Sequence, residues 1–176
     1  MIQVLLIAVL FCACAKPDHS LPGVQSIPAS SRDDSLFLSD DFEELGWDQY
    51  SYEDFDSGLV LFDSSLKYNP ANSQAWHGRA LMLDNLKRDD EAEIAYQNAQ
   101  KLDDHNKQAI WHLGCMYARV GKKEQALRQL RTVVALDSSY AVGVRREDCW
   151  TSLWHDTDFL EVVGVISQDD SVAVSN

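Results

Sequence analysis

Hydrophobic residues between Ala109 and Leu136 fall on two helical stripes, and Gly121 lies between them. Spacings of three and four residues place side chains on one face of an α-helix. The small residues at positions 114 and 126 would let two helices approach closely. The pattern predicts two antiparallel helices packed side by side and joined by a short turn. The stripe residues are Leu113, Gly114 and Tyr117 in the first helix and Ala126, Leu130 and Val133 in the second.

The same pattern occurs twice more, each time 34 residues earlier in the chain. A 34-residue period with small and large residues kept in register resembles the tetratricopeptide repeat family over residues 39–140. The second copy has Ala80, Leu83, Ala92, Tyr96, Ala99 and Leu102 at the matching positions, and the first has Gly46, Gly58, Phe62, Ser65 and Tyr68.

The resemblance implies an all-α fold, a right-handed α-α superhelix of about three repeats at 39–72, 73–106 and 107–140. Three residues depart from the family pattern. Gln49 stands where the family prefers an aromatic residue, and Arg79 replaces a leucine. Lys87 takes the place of the glycine that usually ends the first helix.

After Tyr140 the period fades, and residues 141–166 are predicted to form capping helices. We expect one helix over 144–153 and a second one that Asp156 caps at its N-terminus. Residues 167–176 are polar and are expected to form a disordered tail. The side chains expected to cover the end of the third repeat are Trp150, Leu153, Phe159 and Val163.

The chain begins with an apolar segment that is too short to span a bilayer, which is typical of a secretory signal. We therefore predict a signal peptide over 1–14, although no Lys or Arg precedes the apolar run. The Phe11–Cys14 segment resembles a bacterial lipoprotein cleavage box, with Cys14 as the lipidated residue. Cys12 fits less well because bulky Phe11 precedes it, and an ordinary secretory signal is the alternative. Residues 15–38 are rich in Pro and Ser and are predicted to be a flexible linker.

The composition, with 45% hydrophobic and 24% charged residues, is that of one ordinary globular domain. The net charge is −13, and the segment from Asp33 to Asp63 contains no Lys or Arg. Basic residues concentrate in the third repeat. This asymmetry is either a solvated surface or a dipole that orients a partner or drives head-to-tail self-association. Nucleic acid is not expected as a partner, because the overall charge would repel phosphate.

In the family that the chain resembles, the first helices of successive repeats line a concave groove that holds a segment of a partner protein. Trp47 and Trp111 could instead pack against neighbouring helices. The basic clamp that the family uses for the carboxylate tails of cytosolic chaperones is disfavoured, because Glu43 and Trp47 occupy its first-copy positions. The residues that would line the groove are Glu43, Glu44, Trp47, Tyr50, His77, Leu81, Asp84, Asn85, Trp111, His112, Cys115 and Arg119.

The sequence offers little for catalysis. His77, His105, His112 and His155 lack metal-ligand spacing, there is no glycine-rich phosphate loop, and we expect no metal or cofactor. A Cys115–His112 pair would lack a residue to orient the base.

Cys115 and Cys149 lie one repeat period apart, on what would be adjacent first helices. Helix axes about 8–10 Å apart would hold them beyond the reach of a disulfide. The spacing therefore predicts two free, partly buried thiols. A disulfide is the alternative, because an even pair of cysteines in an oxidising compartment can form one.

We therefore expect a non-catalytic protein-binding scaffold, anchored as a lipoprotein on the periplasmic side of a bacterial outer membrane. A secreted or periplasmic form is the alternative location. An accessory subunit of an envelope enzyme, or a small enzyme acting on cell-wall or secretion substrates, is the alternative function.

Overall fold

The helices follow one another in antiparallel pairs along residues 32–164, the part of the chain that the computed structural model describes. Each of the three predicted repeats holds one pair, and the described residues contain no strand. The helices are α1 (Arg32–Ser51), α2 (Phe55–Tyr68), α3 (Ser73–Asn85), α4 (Asp89–Leu102), α5 (Lys107–Arg119), α6 (Lys123–Leu136), α7 (Ser139–Gly143) and α8 (Thr157–Val162), with 3₁₀ helices at Val144–Arg146 and Asp148–Leu153 between the last two.

The turn inside each pair has the same backbone conformation at the same register position. Glu53, Lys87 and Gly121 are 34 residues apart and have φ of 59°, 62° and 78°. This left-handed conformation favours glycine, but the first two repeats adopt it with other residues. The departure at Lys87 therefore leaves the helical pair intact.

The core is built around one large side chain from the second helix of each repeat. Phe62, Tyr96 and Leu130 occupy equivalent positions and are all fully buried. A Cβ atom on Gly46 would lie 2.9 Å from the Phe62 ring, and one on Gly78 would overlap that ring. The absence of side chains at these two positions thus lets α1 and α3 pack against the same aromatic ring.

The C-terminal segment covers the end of the third repeat, as the sequence predicts. Trp150 and Phe159 are fully buried, Leu153 is nearly so, and Val163 is half-buried. A Cβ atom on Gly114 would lie 2.9 Å from the Trp150 ring.

The helix boundaries in this cap differ in part from the prediction. The Asp156 side chain accepts hydrogen bonds from the backbone at 158 and 159, which confirms its capping role. The single helix predicted over 144–153 is wrong, because Glu147 is extended (φ −103°, ψ 122°) and divides the segment into two 3₁₀ helices. This break turns Trp150 inward.

Helix α1 begins at Arg32, so the last part of the predicted 15–38 linker is helical. The serine-rich composition hid this helix, although Ser39 is buried and its hydroxyl lies 3.0 Å from that of Ser65 on α2. The predicted signal peptide, Cys14, the rest of the linker and the tail lie outside the described residues. Within the described residues, no helix combines the length and the apolar character needed to cross a membrane.

Candidate binding groove

A row of aromatic and imidazole rings crosses the first helices of all three repeats. The Trp47 ring on α1 lies 5.6 Å from the His77 ring on α3. His77 stacks on His112 of α5 with 5.1 Å between ring centroids, and their Nε2 and Nδ1 atoms are 2.9 Å apart. The fold therefore brings predicted groove residues from each repeat into one continuous row of rings, with the central His77 buried.

The predicted groove residues differ in their exposure to solvent. His77 and Leu81 are buried, with 4% and 6% of their surface exposed. Tyr50 is 39% exposed at the α1 end of the row. Glu44 and Asn85 are also exposed, whereas Trp47 and His112 are half-buried. The exposed members can contact a partner directly, and the buried ones form the floor beneath them.

The groove residues Glu43 and Arg119 have their charges engaged inside the fold. The Glu43 carboxylate accepts hydrogen bonds from Asn72 Nδ2 at 2.6 Å and from Trp47 Nε1 at 3.2 Å. Arg119 donates to Asp84 and, at 2.6 Å, to Asp89. A ligand that binds either group therefore competes with these contacts or shares the group with them.

The Arg119 cluster also shows what sequence reasoning missed. Burial raises the pKa of the Asp84 carboxyl, and the adjacent Arg119 guanidinium opposes that rise. Asp89, in the first turn of α4, was not among the predicted groove residues. Asp89 follows Asp84 by five residues and lies just beyond the turn. This position could have suggested that the two carboxylates lie close together.

The third repeat is not the uncompensated basic pole that its sequence suggests. Lys107 pairs with Asp137 at 2.8 Å, and Lys122 pairs with Glu93 at 2.7 Å. Lys123 pairs with Asp156 in the cap at 2.5 Å. Lys107 thus pairs within the third repeat, whereas Lys122 joins it to the second repeat and Lys123 joins it to the cap, an arrangement that repeat spacing alone does not reveal.

The predicted groove residues Trp111 and Cys115 are joined to the C-terminal segment. The Trp111 ring packs against Tyr140 at 5.2 Å and against Trp150 at 5.5 Å, so this tryptophan contacts the cap. Cys115 forms a disulfide with Cys149, and their Cα atoms are 5.4 Å apart.

The predicted free thiols at Cys115 and Cys149 are therefore wrong. Cys149 lies in a 3₁₀ helix and not in the first helix of a fourth repeat, which allows the closer approach. The catalytic pairing of Cys115 with His112 is excluded as well, since the sulfur is in the disulfide and His112 Nδ1 faces His77.

One group of metal-ligating side chains comes together among the described residues, in the turn at Asp103, Asp104 and His105. The Asp103 carboxylate accepts from the His105 backbone at 3.0 Å, and the His105 ring lies 2.6 Å from the Asp104 carboxylate. These contacts stabilise the turn itself, and two of the three side chains are exposed. We assign no metal to them.

Comparison with known proteins identifies the repeat. Residues 73–106, the segment that holds α3 and α4, match the family model described as tetratricopeptide repeat. This segment is therefore similar to a tetratricopeptide repeat. A curated relative, the peroxisomal targeting signal receptor of Saccharomyces cerevisiae, is 29% identical over 92 residues. That match covers 52% of this chain but only 15% of the receptor's length.

Solved structures of tetratricopeptide repeat domains have the same fold at low sequence identity. The Arabidopsis OM64 TPR domain is 20% identical, with a TM-score of 0.60, over 64% of this chain and 95% of its own. The first TPR of Spaghetti (RPAP3), bound to the HSP90 peptide SRMEEVD, is 16% identical, with a TM-score of 0.58, over 80% and 96%. The Yersinia enterocolitica secretion chaperone SycD, in complex with a peptide of the translocator YopD, is 14% identical, with a TM-score of 0.57, over 65% and 90%.

The stacked histidines make stability depend on pH. Burial, followed by the charge of His112, lowers the pKa of His77 to about 3, and burial lowers the pKa of His112 to about 4. An unfolded histidine has a pKa of about 6.5, so unfolding binds protons below that value. We expect the free energy of unfolding to fall as the pH drops from 7.5 to 5.0. Carboxylates that are not shifted upward contribute little in this window, since their unfolded pKa values are near 4. The raised pKa of Asp84 acts in the opposite direction, and the histidine variants leave that contribution in place.

Urea denaturation at pH 7.5 and 5.0 measures this effect. The double variant His77→Gln/His112→Gln should lose a large part of the pH dependence. The matched control His105→Gln/His155→Gln changes two exposed histidines and should keep it. Equal pH dependence in the wild type and the His77/His112 variant would contradict the assignment.

Proposed function

We propose that this protein is a non-catalytic interaction module that binds a segment of a partner protein on the concave face of its repeats. The observation that carries the proposal is the continuous row Trp47–His77–His112 across three first helices. The exposed part of Tyr50 at one end offers an aromatic anchor of the kind that dominates many interfaces. Two structures of similar fold hold bound peptides, which supports a peptide-binding role.

The partner segment differs in chemistry from the acidic peptide SRMEEVD that the RPAP3 domain holds. Glu43 would repel a carboxylate tail, and Arg119 is already neutralised by Asp84 and Asp89. Trp47 adds an apolar surface beside Tyr50. The groove thus favours a segment with an apolar anchor and without clustered acidic residues.

The second part of the proposal places the protein in a bacterial envelope, on the periplasmic side of the outer membrane. Cys14 would carry the lipid, and several acyl chains would give a durable anchor. The Cys115–Cys149 disulfide supports this location, because such bonds persist in oxidising compartments. The residues between Cys14 and α1 would hold the repeats away from the lipid headgroups.

The groove is tested by recovery of partners from detergent-solubilised envelope membranes. In the variant Tyr50→Ala/Asn85→Arg, the anchor is lost and a bulky cation is added on exposed positions of the groove. Recovery of the wild-type partner should fall at least about tenfold, which corresponds to about 1.4 kcal/mol. Ile94→Ala, at an exposed apolar position on α4, is the control and should recover it normally. Unchanged recovery by the groove variant would refute binding at this surface.

The anchor is tested by labelling growing cells with a radioactive fatty acid. The wild-type protein should incorporate label, and Cys14→Ala should not. Cys12→Ala should keep the label, because Cys14 fits the cleavage box better. Label that persists in Cys14→Ala would rule out lipidation at that residue, and loss of label only in Cys12→Ala would assign the lipid to Cys12.

A further inference from the structure

The first helix of a repeat uses a fixed set of positions to pack onto the repeat before it. On α3, Gly78 and Met82 make these contacts, and Ala75 lies on the same helical face; all three are buried. Met82 lies against α2, since a Cβ atom on Gly58 would approach its sulfur to 2.6 Å. Gly78 likewise lies against the Phe62 ring of α2. These contacts define the stacking positions of the solenoid.

On α1 the same three register positions are acidic. Moving back 34 residues from Ala75, Gly78 and Met82 leads to Asp41, Glu44 and Asp48. All three are exposed, and none joins an ion pair with another described residue. A further repeat stacked here would bury three unpaired carboxylates at a large cost. The α1 end is therefore not built to receive another repeat of this kind.

Large apolar side chains lie among these acids. Phe37, Leu45 and Tyr52 have 68%, 47% and 75% of their surface exposed. Tyr52 follows α1 directly and keeps its helical turn, because its backbone N–H donates to Asp48 O. The sequence Phe37, Asp41, Leu45, Asp48, Tyr52 advances by three or four residues per step, so these side chains share one side of the helix. We call these five residues and Glu44 the α1 end face.

The two ends of the solenoid thus differ. At the C-terminal end the chain covers its own last repeat with Trp150 and Phe159, which are fully buried. At the α1 end, aromatic and aliphatic groups remain exposed between unpaired carboxylates. A polar end would be sufficient for solubility, and exposed apolar groups in a cluster are typical of interaction sites.

We propose that the α1 end face is a docking surface for a cationic amphipathic helix of a partner protein. Its carboxylates match Lys or Arg side chains, and its apolar positions match the one-sided apolar stripe of such a helix. Charge complementarity is strong, because α1 as a whole has seven acidic residues and one arginine. A second copy of the chain fits poorly, since it brings the same net charge of −13. This surface shares only Glu44 with the residues predicted to line the concave groove.

The test measures binding of a dye-labelled synthetic helix of leucine and lysine, with leucines on one face, to the full chain by fluorescence anisotropy. Asp41→Lys/Asp48→Lys should weaken binding at least about tenfold. The control Asp90→Lys/Glu124→Lys makes the same change in net charge at exposed positions elsewhere and should weaken it much less. Binding to the wild type should also weaken as the salt concentration rises.

The apolar part of the surface needs its own comparison. Phe37→Ser/Tyr52→Ser should weaken binding at least about tenfold. Ile94→Ser/Val142→Ser removes equally exposed apolar groups from other surfaces and should not. The groove variant Tyr50→Ala/Asn85→Arg should leave the affinity for this peptide unchanged, so failure of the groove and failure of this surface can be told apart.

Three outcomes would overturn the proposal. The first is equal weakening by the α1 variants and their matched controls, which would indicate diffuse charge attraction. The second is weak binding of the peptide to the wild-type chain, with a Kd above about 100 µM, which corresponds to a binding free energy of about −5.5 kcal/mol. The third is a wild-type dimer, detected by light scattering, that Phe37→Ser/Tyr52→Ser converts to monomer, which would make a second copy the occupant.

Discussion

The insertion of the Phe62 ring between two glycines is the contact on which the first two repeats depend. The ring is fully buried, and neither Gly46 on α1 nor Gly78 on α3 has room for a Cβ atom beside it. This contact sets how closely α1 and α3 approach. The approach in turn brings Trp47 to within 5.6 Å of His77 and so begins the row of rings that forms the groove. A bulkier residue at either glycine would disturb the core and the groove together.

The surfaces available to a partner also depend on whether each end of the solenoid is covered by other parts of the chain. The C-terminal segment covers the last repeat through Trp150 and through the disulfide between Cys149 and Cys115. Trp150 also packs against Trp111. The α1 end carries carboxylates such as Asp48, which forms no ion pair with another described residue, and exposed rings such as Phe37. The concave face and the α1 end, the two surfaces for which we propose partners, therefore differ in chemistry.

The sequence predicts the parts of this structure that depend on the repeat period. The helical pairs follow from the 34-residue register. The role of Asp156 as the N-cap of α8 follows from local hydrogen-bonding chemistry. The disulfide could not be predicted, because the approach of Cys149 depends on a 3₁₀ segment that breaks the register. The ion pairs of the third repeat could not be predicted for a similar reason. Lys122 and Lys123 find acidic partners in other elements, and periodicity carries no information about such pairs.

A double-mutant cycle on Gly78→Ala and Phe62→Leu, followed by urea denaturation, tests the central packing claim directly. Gly78→Ala should lower the free energy of unfolding by about 1–3 kcal/mol, because the added methyl group collides with the ring. Phe62→Leu should relieve the collision, so the two losses should fall short of additivity by at least about 1 kcal/mol. Gly143→Ala, where a Cβ atom meets nothing within 4 Å, serves as the control. Additive losses, or a Gly78→Ala variant as stable as Gly143→Ala, would contradict the account.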